Sequence, residues 1–244
     1  MMQYLYRFGT IGSVVLALAG SGLPDAHAQP AASEVLRRSQ AYHDPGGRWA
    51  QVRHVLELRE RRPDGRERLT GLVIDWAASL FEIRRPAGDG TATGRLQGAA
   101  CEVTGVAAAA APFRCSDADP GAGRTVAFWR DYYGYLYGLP MNLSDAGALL
   151  DPRVTPTRFD GRDVWALKVT YEGGDTWYVY VDPERYALVG CRFYHDEAAH
   201  DGEYIVFEGE VEAGGLRLPR TRAWYTNQDG RYLGTDTVEA YRIR

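Results

Sequence analysis

Residues 176–242 read TWYVYVDPERYALVGCRFYHDEAAHDGEYIVFEGEVEAGGLRLPRTRAWYTNQDGRYLGTDTVEAYR, and the fold turns on how this stretch is punctuated. Aromatic and β-branched residues gather into Thr176–Val181, Ala187–His195, Glu203–Val211, Leu216–Tyr225 and Tyr232–Arg242, and Asp-Pro-Glu-Arg, Gly-Gly and Gln-Asp-Gly turns fall between several of them. Runs of that length bounded by turn residues are strands. Connections this short force neighbours to pair antiparallel, because a parallel crossover needs a dozen residues or more.

Working backwards, Val164–Tyr171 adds another strand, and Leu139-Pro140 and Asp151-Pro152 break the chain before it. Thr125–Leu139 carries Phe128, Tyr132, Tyr135 and Leu136 at helical spacing and is read as a helix, with Asn142–Leu150 as a further short helix. The alanine run Ala107–Ala111 is a loop or a short helix. Towards the start, Val52, His54, Leu56 and Leu58 alternate with polar residues up to the turn Pro63-Asp64-Gly65. That is a half-buried strand, and Arg66–Trp76 and Ser79–Arg84 continue it as a meander. Ser33–Tyr42 reads as a short leading helix, with Val35, Leu36, Ser39 and Tyr42 on one face and Ser33 available as its N-cap. The expectation is a mainly β, α+β protein: a curved antiparallel sheet or incomplete β-barrel of about ten strands, with two or three helices on its concave side.

The first 28 residues have a different logic. Arg7 is followed by an apolar run from Ile11 to Ala19 and then by Ala26-His27-Ala28, the order of a secretory signal with its cleavage site near Ala28. The run is shorter than the roughly 20 residues of a membrane span. Residues 29–244 are therefore expected to form one periplasmic or secreted domain with no transmembrane segment. Removing the leader takes away one Arg and one Asp, which leaves the formal charge of −4 unchanged. Arginines and acids are interspersed, so no basic stripe tracks a phosphate backbone and nucleic acid is not an expected partner.

An oxidising compartment permits disulfides. Cys101 and Cys115 bracket CEVTGVAAAAAPFRC and form the pair placed to bond, leaving Cys191 as a buried free thiol.

Ionisable residues are densest in His195-Asp196-Glu197, followed by His200, Asp201 and Glu203. On a strand His195 and Glu197 would share a face and could hold a metal or act as acid and base. The same residues also suit a solvated hairpin loop. No zinc-type spacing, nucleophile elbow or phosphate loop accompanies them, so neither a catalytic residue, a metal nor a cofactor is assigned. The chain's one lysine, Lys168, alternates with Leu167 and Val169 and is expected to point outward.

The order of elements resembles the LolA/LolB-like lipoprotein-carrier superfamily. The phrases AYHDPGGRW, YYGYLYGLP, WYVYVDPERYALVGCRFYHDE and GEYIVFEGEVEAGGLRLPRTRAWYTNQDGRYLGTD are similar to those of an exported bacterial family of unknown function related to those carriers. The resemblance implies a concave aromatic cavity lidded by helices and a non-catalytic role in binding a lipid-like or amphipathic ligand, a lipoprotein among the candidates. Trp129, Tyr132, Tyr135, Trp177 and Phe193 supply the lining, although an aromatic stripe on a sheet is more often plain core. Tyr42 and His43, within the first phrase, and His195 complete the expected ligand-binding set. His43 also closes the first helix, where the helix dipole favours its charged form, and structural capping is the preferred reading of it. The competing functional class is an envelope enzyme in which His195, Glu197 and His43 converge.

Overall fold

The computed structural model describes residues 29–119 and 123–244, so the expected signal peptide and its cleavage site near Ala28 lie outside the described residues. Helix α1 (Ala32–His43) leads into β1 (His54–Arg61), β2 (Glu67–Asp75), β3 (Leu80–Ala87), β4 (Gly90–Gln97) and β5 (Ala100–Thr104). Helix α2 (Val126–Gly138) follows, and then β6 (Ala148–Leu150), β7 (Thr155–Phe159), β8 (Arg162–Tyr171), β9 (Thr176–Val181), β10 (Leu188–Tyr194), β11 (Glu203–Ala213), β12 (Leu216–Thr226) and β13 (Tyr232–Ile243). Among the described residues these thirteen strands make one antiparallel sheet in the order β5-β4-β3-β2-β1-β13-β12-β11-β10-β9-β8-β6, with β7 also on β8. The sheet does not close on itself: β5 lies at one edge and β6 at the other. No helix among the described residues is long and apolar enough to cross a membrane.

The sheet curls because its register slips at Glu57/Leu58 in β1, Leu188/Gly190 in β10 and Trp224/Tyr225 in β12. Such bulges bend the strand and increase its twist. The concave face then encloses a continuous core that includes Leu56, Leu72, Ile74, Phe81, Val179, Ile205 and Leu218, covered by Val35 and Leu36 of α1 and Tyr133 and Leu136 of α2. Burial of this apolar surface supplies the main driving force. A second, smaller cluster lies on the convex face, where Phe159 stacks on Tyr180 at 4.0 Å.

The strand count exceeds the ten expected, and each addition has a local reason. β4 and β5 are GTATGRLQ and ACEVT, too rich in Gly, Ala and Thr to show an apolar run. At Gly94 the sheet runs so close to the start of α2 that a Cβ would lie 2.7 Å from Val126. β7 is joined to β8 by Asp160-Gly161, both at positive φ, the signature of a tight hairpin. The short helix expected over Asn142–Leu150 is instead a 3₁₀ turn, Met141–Ser144, followed by edge strand β6. Gly147, at φ +93°, breaks the path between them. The alanine run resolves into a 3₁₀ turn at Ala108–Ala110.

The helix starts divide between local and tertiary control. Thr125 caps α2 by accepting the Phe128 N–H at 3.1 Å. Ser33 does not cap α1; the N-cap is Ala31, and the Ala32 N–H donates to the Pro152 carbonyl at 3.1 Å. A backbone acceptor brought in by the later chain satisfies a first-turn donor and makes a side-chain cap there unnecessary.

Candidate functional site

A groove of about 700 Å³ opens between the two helices and the turns that flank them. The end of α1 contributes Gln40 and Asp44, α2 contributes Asp131, Gly134 and Tyr135, and Met141, Asn142 and Tyr171 form the far wall. Two tryptophans shape it. Trp49 is buried, whereas Trp76 is 37% exposed and lies across Gly134, where any Cβ would meet its ring at 2.7 Å. Glycine in mid-helix is here a packing device that brings an indole against the α2 backbone.

Tyr135 links this groove to an aromatic belt. Its ring is 4.6 Å from Trp177, which stacks on Phe193 at 4.8 Å, and its hydroxyl accepts from that of Tyr171 at 3.2 Å. Trp177 and Phe193 are directly paired on β9 and β10, and both are half-buried. Burial raises the Tyr135 and Tyr171 hydroxyls above the usual phenol range, so both remain neutral donors. Trp129 and Tyr132 turn away from the groove. They wall a separate cavity of about 330 Å³ against β1, β2, β12 and β13, which also contains Glu60, Arg68, Trp224 and Asp236.

Beneath that cavity is a buried polar network absent from the sequence-based expectations. Tyr133 donates to Glu60 Oε1 at 2.6 Å, while Arg68, at 2.6 Å, and Thr70 donate to Oε2. Arg85, 1% exposed, reaches Tyr133 Oη at 2.6 Å and Thr70 Oγ1 at 3.1 Å, and its guanidinium lies 4.1 Å from the Trp129 ring centre. Burial opposes the Glu60 charge, but Arg68, Arg85 and Thr70 outweigh it and hold the carboxyl below its ordinary range. Asp236 has no such support. Burial, followed by the charge of Glu60, pushes it up to about 7.

The remaining expected residues are elsewhere. Tyr42 faces outward and donates to Glu210 at 2.6 Å while accepting from Arg185 at 2.5 Å. His43 is buried, with Nε2 accepting the Leu188 N–H at 3.0 Å and Nδ1 donating to the Arg217 carbonyl at 2.7 Å. Both backbone partners have fixed roles, so the ring is the neutral Nδ1–H tautomer. Burial lowers its pKa to about 4, which corrects the expectation of a charged helix cap: desolvation exceeds the helix dipole here.

His195 follows the last residue of β10 rather than lying within it, and its Nδ1 pairs with Asp175 at 2.6 Å, which raises its pKa. Glu197 accepts from Lys168 at 3.0 Å and Tyr178 at 2.5 Å. His43 meets β10 at Leu188, so it lies about 23 Å from His195 at the usual strand rise. The constellation of His43, His195 and Glu197 expected for an enzyme therefore does not converge. Among the described residues no group of three or more His, Cys, Asp or Glu is arranged to hold a metal ion. Cys101 and Cys115 are joined by a disulfide, and Cys191 is buried and free.

Comparison with solved structures places this architecture. A LolA superfamily protein from Nitrosomonas europaea superposes with a TM-score of 0.51 at 11% identity, covering 88% of this chain and 94% of the other. A putative outer membrane lipoprotein-sorting protein domain from Vibrio parahaemolyticus matches at a TM-score of 0.44 and 14% identity, over 87% and 93% of the two chains. At such identities the first likeness establishes a shared fold. No curated protein matches the chain. The pattern of a family of unknown function, DUF6503, matches residues 111–240, more than half of the chain, and the protein belongs to that family.

Proposed function

We propose that this protein is a non-catalytic periplasmic carrier or binding protein whose concave groove takes up an acyl chain or another lipid-like, amphipathic group, including that of a lipidated protein. The observation that carries the reading is the 700 Å³ groove between α1, α2 and the Met141–Ser144 turn, with aromatic walls and an exposed tryptophan at its edge. Transfer of an acyl chain into it gains about 25 cal/mol for each square ångström removed from water. Gln40, Asn142, Asp131 and Asp145 on the same walls suit a ligand with a polar end. Within the expected binding set, Tyr135 is the contact residue, and Trp177 and Phe193 form the belt behind it. Export to the periplasm rests on the leader sequence and the superfamily fold.

A dansyl-labelled fatty acid titrated into the mature chain tests this. Wild-type protein should bind it saturably, and Trp76→Ala should weaken binding by at least about tenfold, equivalent to about 1.4 kcal/mol. Thermal stability should hardly change, because Trp76 is already partly exposed. A wild-type protein that binds no acyl probe, or binds it unchanged after Trp76→Ala, would remove the basis of the proposal.

A further inference from the structure

The smaller cavity, on the other side of α2, has a recognition logic of its own. Four charged residues lie in cross-strand register on neighbouring strands: Arg68 opposite Glu60, Glu60 opposite Asp236, and Asp236 opposite Arg222. Paired residues project from the same face, so the row Arg68–Glu60–Asp236–Arg222 crosses the concave side. Most of its valences are used internally. Glu60 receives three donors, and Arg68 is committed to Glu60. Arg222 lies 3.8 Å from the Tyr137 ring centre and donates to the Pro219 carbonyl at 2.9 Å.

Asp236 is the exception. It accepts one hydrogen bond, from Trp224 Nε1 at 3.2 Å, and among the described residues no cation lies within salt-bridge distance of it or of Glu203, which lines the same cavity. Burial holds both carboxyls above their ordinary values. Desolvated carboxylates without a counter-charge are costly and rare in native structures. Trp129, Tyr132 and Trp224 are among the residues that line the cavity, and aromatic rings attract cations. The fold already uses one of these rings in that way, since Arg85 occupies a face of Trp129.

From this juxtaposition of two unpaired carboxylates with three aromatic walls in a cavity of about 330 Å³, we infer a binding site for the ammonium group of a small organic cation, distinct from the acyl groove. Asp236 and Glu203 supply the counter-charge, and Trp129, Tyr132 and Trp224 enclose the alkylated nitrogen. Arg61 and Arg62 at the same cavity favour a cation whose other end is anionic, such as a phosphate monoester, over a bare polyamine. This site requires nothing of the acyl groove, so either proposal can fail alone.

The test is titration of the mature protein with choline, phosphocholine and the neutral choline isostere 3,3-dimethylbutanol, read by tryptophan fluorescence and calorimetry. Choline and phosphocholine should bind saturably, phosphocholine at least as tightly, and the isostere should not. Asp236→Asn and Glu203→Gln keep side-chain shape but remove charge, and each should weaken choline binding by about tenfold or more, equivalent to about 1.4 kcal/mol. Circular dichroism melts check that both variants are folded. The inference is overturned if neither cation binds, if the neutral isostere binds equally well, or if folded Asp236→Asn and Glu203→Gln bind choline like the wild type.

Discussion

Two side chains, His43 buried and Asp236 partly buried, carry opposite pH signatures. His43 is held neutral by enclosure, with its folded pKa near 4 against an ordinary 6.5. The unfolded chain therefore takes up a proton first as pH falls. The stability this provides is complete above 6.5 and is lost progressively down to about pH 4, reaching about 3 kcal/mol from this one group. A histidine NMR titration should find His43 with the Nδ1–H tautomer unprotonated down to about pH 4, and a pKa near 6.5 would show that the ring is not enclosed. Asp236 works the other way, because its folded value near 7 lies above the ordinary 3.8. Its cost to stability sets in as pH rises past 3.8 and is complete above about 7. Asp236→Asn should therefore stabilise the ligand-free protein at pH 8 by at least about 1 kcal/mol, with the gain disappearing towards pH 4. Denaturant melts at the two pH values check the sign. Neither residue's state was legible locally: His43 looks like a helix cap in sequence and Asp236 like one more exposed strand acid.

At the scale of elements, α2 decides what the concave side can hold. Its aromatic spacing was readable in the sequence, and the helix spans nearly the stretch expected, whereas the Thr125 cap emerged only in the structure. Its glycine was not interpretable, because Trp76 comes from the end of β2, far away in the chain. Gly134→Ala should gain up to about 1 kcal/mol of helix propensity, yet the new methyl would press on the Trp76 ring. Trp76 is partly exposed and its ring end is free to swing, so the midpoint of unfolding should shift little. The tryptophan emission should change, and acyl-probe affinity should fall with it. An unaltered emission spectrum in the folded variant would mean that Trp76 does not rest on α2. The His195–Glu197 segment illustrates the converse, since strand parity applies only within a strand and β10 ends one residue earlier. Beyond that end each side chain finds its own surface partner, Asp175 for one and Lys168 with Tyr178 for the other.

In the whole molecule, the pairing of β1 with β13 joins the first meander to the last strand and places Glu60 beside Asp236. This one junction builds the charged floor of the smaller cavity. The open edge at β5 is secured differently, by the Cys101–Cys115 disulfide that ties the strand to the segment before α2. Closing a loop of that length stabilises by about 3 kcal/mol in the chain-entropy model. Reduction, or the double change Cys101→Ala/Cys115→Ala, should lower the unfolding free energy by about that amount in denaturant melts, and an unchanged midpoint would contradict it. Cys191 should resist thiol reagents until the chain unfolds, since it is fully buried and burial raises its thiol pKa.

Period-two alternation, turn dipeptides and helical spacing are local signals, and they specify an antiparallel β protein with a leading helix and a middle helix. The sequence also pointed to the superfamily whose fold the structure shares. Strands without an apolar signature, β4 and β5 above all, escaped that reading because pairing holds them, aided by contact with α2 for β4 and by the disulfide for β5, rather than composition. Long-range packing sets which aromatics line the groove and which line the smaller cavity, puts His43 and His195 at opposite ends of β10, and turns Glu60, Arg68, Arg85 and Asp236 inward. Charge, burial and counter-charge are properties of what surrounds a side chain, and here those surroundings come from strands and helices distant in the chain.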